Sequence, residues 1–214
     1  AIWHHGTDEA EDQAVAHRFV EIAFTERVRA EQEREGSREG YARLEVGEPH
    51  HDRLGPAEAA FLGARDSFYL ATVSETGWPY VQHRGGPPGF LRVLDERTIG
   101  FADFRGNRQY VSVGNLAADG RVSLIAVDYP RRRRLKILGR ARIVTAAQDP
   151  ALLRRLEVAE YPAAIERGLV IAVEAFDWNC PQHITPRFTA AEIADAVAPL
   201  RARIAELEAA LAGH

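Results

Sequence analysis

Apolar and polar positions follow two different periods along this chain. Between Asp8 and Glu35, Val15, Phe19, Ile22 and Val28 recur at roughly helical spacing in a charge-dense stretch, and Gly36 and Gly40 close it, which predicts a helix. Asp52–Arg65 reads as a second helix, with Pro56 suited to a first turn and Phe61 and Leu62 facing inward. The texture then changes. Ser67–Glu75 is rich in aromatic and β-branched residues, and Glu75-Thr76-Gly77 leads into Pro79–His83, which predicts a hairpin. The run Gly85-Gly86-Pro87-Pro88-Gly89 suits only a loop. Further strands are expected at Phe90–Leu94, Thr98–Ala102, Val122–Asp128, Leu135–Thr145 and Leu169–Phe176. Asn107–Leu116 predicts a short helix or turn, and Asp149–Glu157 and Pro162–Glu166 predict helices. Six or seven strands flanked by helices point to a mainly β, closed antiparallel barrel rather than βαβ units.

The last segment has the sharpest pattern. Thr189-Ala190-Ala191-Glu192 is a capping box, in which hydroxyl and carboxylate satisfy free backbone N–H groups. Ile193, Val197, Leu200, Ile204, Leu207 and Leu211 follow at spacings of 4, 3, 4, 3 and 4, an a/d seam of nearly three heptads. Pro199 is expected to kink or restart this helix. The seam fits two arrangements, packing on the chain's own barrel or contact across a dimer.

The composition narrows the class. With 214 residues, 46% hydrophobic, the chain can bury a full core, which disfavours disorder. No apolar run reaches about 18 residues, so no membrane span is expected. The opening lacks a signal-peptide pattern and Cys180 has no partner cysteine, so a reducing cytoplasm is the expected compartment. A net charge of −4 argues against a nucleic-acid binder. Lys136 is the only lysine among 27 basic residues, a bias that GC-rich coding explains, so almost every cation is a planar fork.

No Gly-x-Ser-x-Gly elbow, Walker loop or His-Glu-x-x-His helix is present. The neighbours His4-His5 and His50-His51 would point apart in a helix, so no metal site is expected. Cys180 reads as an inert small residue. Four segments mix small polar residues with arginine and glycine. Pro79–Gly89 ends a strand in polar side chains and free N–H groups that suit a planar heterocycle. Phe101–Tyr110, continuing through Ser112 and Asn115, brings Arg, Asn, Gln and Ser donors to a helix start, a natural phosphate cradle. Tyr129–Lys136 carries four consecutive arginines; if it is a strand, Arg132, Arg134 and Lys136 share one face and Arg133 the other. Trp178–Arg187 combines an indole, amides, an imidazole and an arginine between prolines.

The stretches GWPYVQHRGGPPGFL, GFADFRGNRQYVSVGNL, RRRRLKILGRAR and DWNCPQHITPRFT, in this order, resemble the FMN-binding split-barrel family related to pyridoxamine 5'-phosphate oxidase. The resemblance implies a six- or seven-stranded antiparallel split β-barrel over residues 61–188, a helical arm at 1–60 and an amphipathic helix at 189–214. It implies that Gln82, His83, Arg84 and Gly85 lie on a cofactor-contact strand and that Ala102 and Asp103 give further contacts. Arg108 becomes the principal phosphate ligand, with Asn107, Gln109 and Ser112 as neutral donors, and Arg134 aligns with a ring contact. Trp178 (or Phe176) and Arg187 match residues that the other subunit contributes, and Gln182 and His183 join them. His83 and His183 are the candidate proton carriers, or else braces for their loops. The family thus implies FMN, a homodimer with FMN at its interface, and an oxidase or reductase of an unidentified small molecule. The alternatives are a split barrel holding haem or a deazaflavin, and a nucleic-acid module using Arg131–Arg134.

Overall fold

A computed structural model describes residues 15–46, 48–179 and 181–212. The first part holds β1 (Val15–His17), α1 (Arg18–Ala23), α2 (Glu26–Arg34), α3 (Arg38–Ala42), β2 (Glu48–His50) and α4 (Pro56–Gly63). Strands β3 (Ser67–Val73), β4 (Pro79–Gly85), β5 (Arg92–Asp95) and β6 (Thr98–Phe104) follow. Then come α5 (Val111–Ala118), β7 (Arg121–Asp128), β8 (Arg133–Val144), α6 (Pro150–Leu156), β9 (Ile165–Asn179) and α7 (Ala190–Ala212).

Seven strands form one antiparallel sheet in the order β4-β3-β7-β8-β9-β6-β5. It curls as a split barrel and does not close, because β4 and β5 remain its two edges. Alternation along the strands builds the core. Phe68 and Leu70 of β3, Leu124 and Ala126 of β7, and Leu135 and Ile137 of β8 turn inward to meet Ile99, Phe101, Leu169 and Ile171. Phe61 and Leu62 of α4 cap this core. Each fully buried Leu or Phe contributes about 1.5–3 kcal/mol, which is why register is firmly specified. A second, smaller core lies under α6, where Leu152 and Leu156 cover Ala102, Val144 and Val170.

The long strands β8 and β9 serve both cores, and a register shift at Leu138/Gly139 lets them bend. A Cβ on Gly139 would stand 2.3 Å from the Ala172 carbonyl oxygen, so only glycine fits this crossing. The β3–β4 hairpin has its expected turn: Gly77 adopts φ +83° and donates its N–H to the Ser74 carbonyl at 2.9 Å.

Several expected elements differ. The single helix predicted to end at Glu35 is two helices, parted at Phe24-Thr25, where the Thr25 hydroxyl caps α2. The stretch predicted to be helical at Pro162–Glu166 is loop and then the start of β9, because Ile165 pairs with Phe104 on β6. Phe90 closes a turn on Pro87 and the strand begins at Arg92. Arg132 is in the left-handed turn before β8, at φ +53°, and is not on a strand face. His4, His5 and Cys180 lie outside the described residues.

The capping box of α7 forms, with the Glu192 carboxylate accepting from the Thr189 N–H at 2.8 Å. Pro199 neither stops nor restarts this helix, which runs unbroken from Ala190 to Ala212. Its seam does not pack on the barrel, since no α7 residue is buried. Among the described residues no helix is long and apolar enough to cross a membrane.

Candidate functional site

The sheet register sorts the candidate residues onto two faces. Residues paired directly across an antiparallel ladder share a face. Gln82 pairs with Leu70 and Arg84 with Phe68, so both belong to the core-side face, at the open edge of the barrel. His83 pairs with Tyr69, Tyr69 with Ile125, and Val127 with Arg134, so these five residues occupy the opposite, outer face.

On the core side, a cavity of about 230 Å³ is lined by Gln82, Arg84, Asp103, Phe104, Gly106, Asn107, Arg108, Tyr110, Ser112, Val113 and Glu166. Helix α5 is pinned beside it by two polar contacts: the Ser112 hydroxyl donates to Gln82 Oε1 at 3.0 Å, and Asn115 Nδ2 donates to the buried Thr72 hydroxyl at 2.9 Å. The loop before α5 turns tightly, with left-handed backbone at Arg108 (φ +61°) and Tyr110 (φ +54°). Tyr110 occupies the N-cap and offers no side-chain cap, so the first N–H groups of α5 open at the cavity.

The charges here are partly spent on one another. Asp103 accepts from Arg84 Nη1 at 2.6 Å and lies 3.4 Å from Arg167 Nε. Glu166 accepts from Arg105, Arg167 and the Tyr110 hydroxyl. Burial alone would raise the Glu166 pKa, but those three donors outweigh it and hold the carboxyl below its usual range. Arg108 differs: it donates to the Tyr110 hydroxyl at 3.3 Å and pairs with no carboxylate among the described residues. That hydrogen bond pushes its already high pKa further up. The buried Nε atoms of Arg84 and Arg167 have no hydrogen-bond partner among the described residues.

On the outer face, a second cavity of about 230 Å³ is lined by Ile125, Val127, Tyr129, Arg134, His183, Ile184, Thr185 and Arg187. The Arg187 guanidinium stacks over the Tyr129 ring at 5.0 Å. Burial first, and then a hydrogen bond with Tyr69, raise the Tyr129 pKa. The Nε of Arg134 is buried without a partner among the described residues. The His83 ring contacts Tyr69 edge-on at 5.6 Å, beside this wall.

Thus the first cavity gathers Gln82, Arg84, Asp103, Asn107, Arg108 and Ser112, and the second Arg134, His183 and Arg187. His83, Gly85, Ala102, Gln109, Trp178 and Gln182 line neither. Ala102 is packed under α6. Trp178 is held within the chain: its indole N–H donates to Glu58 Oε1 at 2.7 Å, its ring meets Phe61, and Arg133 stacks over it. Phe176 is in the core. Lys136, for which the sequence suggests no role, pairs with Asp177 at 3.0 Å and covers Phe19 of α1. Glu166 and Arg167 are the principal additions; Glu166 ends the stretch that the sequence suggests is helical, and Arg167 follows it. Their signal is the apolar run from Leu169 to Val173, which continues a strand they begin. Among the described residues no group of three or more His, Cys, Asp or Glu is placed to hold a metal ion.

An open seven-stranded antiparallel sheet with flanking helices and an edge cavity defines the class as a split β-barrel. The family model described as pyridoxamine 5'-phosphate oxidase matches residues 54–179, and the chain belongs to that family. Similar solved structures include an FMN-binding protein from Syntrophomonas wolfei subsp. wolfei, with 14% identity, a TM-score of 0.45, and coverage of 72% of this chain and 96% of that one. HupZ from group A Streptococcus has 18% identity, a TM-score of 0.44, and coverage of 63% and 100%. An F420 reductase has 23% identity, a TM-score of 0.42, and coverage of 58% and 98%. None of the curated proteins matches the chain.

Proposed function

We propose that this chain binds FMN as a homodimer and acts as an oxidoreductase on a small molecule, with each flavin held between two copies. The observation that carries this reading is the division of candidate residues between two faces of one packed sheet. A single ligand cannot reach Arg108 and Arg134 of the same chain through that sheet, but it can touch Arg108 of one copy and Arg134 of the other.

The first cavity suits a phosphate monoester. Arg108 supplies a fork that bonds only the Tyr110 hydroxyl and no carboxylate among the described residues, and Ser112, Asn107 and the first N–H groups of α5 supply neutral donors. The Nε of Arg84, which has no hydrogen-bond partner among the described residues, adds a buried donor beside the same cavity. At about 230 Å³ the cavity takes a phosphate and part of a polyol but not a tricyclic ring, since pockets enclosing drug-sized ligands span about 300–1,000 Å³. The residues that would hold the ring are then Arg134, His183 and Arg187, which line the outer-face cavity of the second copy. A bound flavin supplies electron and hydride transfer. The protein's own part is to clamp the phosphate, orient the ring and exclude water from it. His183, the imidazole that lines that cavity, would carry a proton between substrate and solvent.

The test is fluorescence titration of the full chain with FMN and with riboflavin, together with Arg108→Ala and Arg187→Ala. FMN should bind far more tightly than riboflavin, and each variant should weaken FMN. Mixing the two variants should restore tight binding to a fraction of sites, because one interface then carries both native arginines. Equal affinity for FMN and riboflavin refutes the phosphate assignment, and absence of complementation refutes the shared site.

A further inference from the structure

From the C-terminal helix we infer a second interface between copies of this chain, a parallel two-stranded coiled coil formed by α7. This rests on the helix alone and not on the flavin reading. Ile193, Leu200, Ile204, Leu207 and Leu211 are between 48% and 77% exposed, all on one stripe with Val197. An apolar stripe about 27 Å long at 1.5 Å per residue, left uncovered by its own barrel, calls for a partner.

The partner is specified by residue type and charge. Setting Val197 and Ile204 at position a places Leu200 and Leu207 at d, the combination that favours two parallel strands. Arg203 then falls at g and Glu208 at the following e, so in a parallel pair Arg203 of one copy faces Glu208 of the second copy, twice by symmetry. An antiparallel pair with the same apolar layers would set Arg201 against Arg201 and Arg203 against Arg203. Alanines at positions 194, 196 and 210 fill the other e and g sites except e at Arg201, which faces Ala196 of the second copy, and let the helices approach. Pro199 lies at c, away from the seam, so its missing N–H does not interrupt the contact. Arg203 now bonds Glu206 on its own helix at 2.8 Å, where both side chains are 66% exposed, a weak surface pair that does not prevent re-pairing.

The test uses the full chain with Cys180→Ser. Leu200→Cys should form a disulfide-linked dimer under mild oxidation, because d faces d in a parallel pair, whereas outward-facing Asp195→Cys should not. A link that forms only on mixing Leu200→Cys with Ile204→Cys chains indicates antiparallel pairing and overturns the inference, as does no link at all. In sedimentation of the Leu200→Cys-free protein, Glu208→Arg should weaken self-association about tenfold, and Arg203→Glu/Glu208→Arg should recover it. A protein that binds FMN as a dimer but gives no Leu200 link refutes the coiled coil and leaves the flavin site standing. A linked protein that binds no flavin does the reverse.

Discussion

Replacing Asp103 with Ala should separate stability from binding. Asp103 is 6% exposed and is the only described carboxylate in contact with Arg84, at 2.6 Å, while also lying 3.4 Å from Arg167. Its loss leaves the largely buried Arg84 without a counter-charge beside Arg167, which keeps only its pair with Glu166 at 2.8 Å. Breaking one partner out of a buried pair costs about 3–5 kcal/mol, a large share of the roughly 5–15 kcal/mol that stabilises a domain. Arg84 keeps its stacking on Phe101, at 5.9 Å, which is present in both proteins and so does not offset the loss. Urea unfolding of the apo chain, followed by tryptophan fluorescence, should show the midpoint falling with an unchanged m-value, and Tm should drop by roughly 6–20 °C. The effect on FMN should have the opposite sign, because removing the carboxylate frees Arg84 for the phosphate and removes a like charge beside it. Asp103→Asn, which keeps one acceptor oxygen, should fall between the two proteins in both measurements. A stability change within about 0.5 kcal/mol would refute the buried-pair reasoning, since that is the range of an ordinary surface substitution.

Three further outcomes follow from other parts of the molecule. Gly139→Ala should lower stability by at least about 1–3 kcal/mol, since the new methyl would sit 2.3 Å from a backbone oxygen; a midpoint equal to that of the parent would contradict it. The contact between the N-terminal arm and the barrel should weaken on acidification. Burial, and then His17, lower the His51 pKa from 6.5 to about 4, so the undocked arm takes up a proton first and docking is lost as the pH falls through that window. His51 Nδ1 lies 2.8 Å from His17 Nδ1, with His50, Glu58 and the Lys136–Asp177 pair nearby, so hydrogen-exchange protection factors over residues 15–23, corrected for the intrinsic pH dependence of exchange, should fall between pH 7 and 5 in the parent. They should fall less in His51→Phe, where only His17, whose pKa burial also lowers, is left to titrate in that contact. Thr189→Ala should cost about 1 kcal/mol of α7 helix stability, read by circular dichroism, with no change in the barrel's own unfolding.

Much of the fold was legible because half-buried strands write their face into the sequence. The alternation of Phe68 and Leu70 with exposed neighbours, and of Leu124 and Ala126 with Ser123 and Ile125, needs only the pleat to be read. The capping box and seam of α7 were equally local. Pro162–Glu166 misled because its proline and alanines favour a helix start, whereas the decisive term is the pairing of Ile165 with Phe104, which is 61 residues distant. The same limit hid Glu166 and Arg167 from the site. Trp178 looked available because Glu58, which holds its indole, is 120 residues away. The barrel's failure to close also depends on where β4 and β5 end up, which no local pattern records. Nor does residue order reveal that Arg84 and His83, adjacent in the chain, serve opposite faces of the sheet until the strand and its register are known.

The most direct test of the central claim is to incubate the purified full chain with FMN, remove free ligand, denature the protein and identify the chromophore released. One FMN per chain is predicted, and the Arg108→Ala protein, losing a charge-assisted bond of about 1.5–3 kcal/mol, should bind roughly 10–100-fold more weakly in titration. A chain that releases no FMN, or one that retains haem or a deazaflavin in its place, would contradict the account.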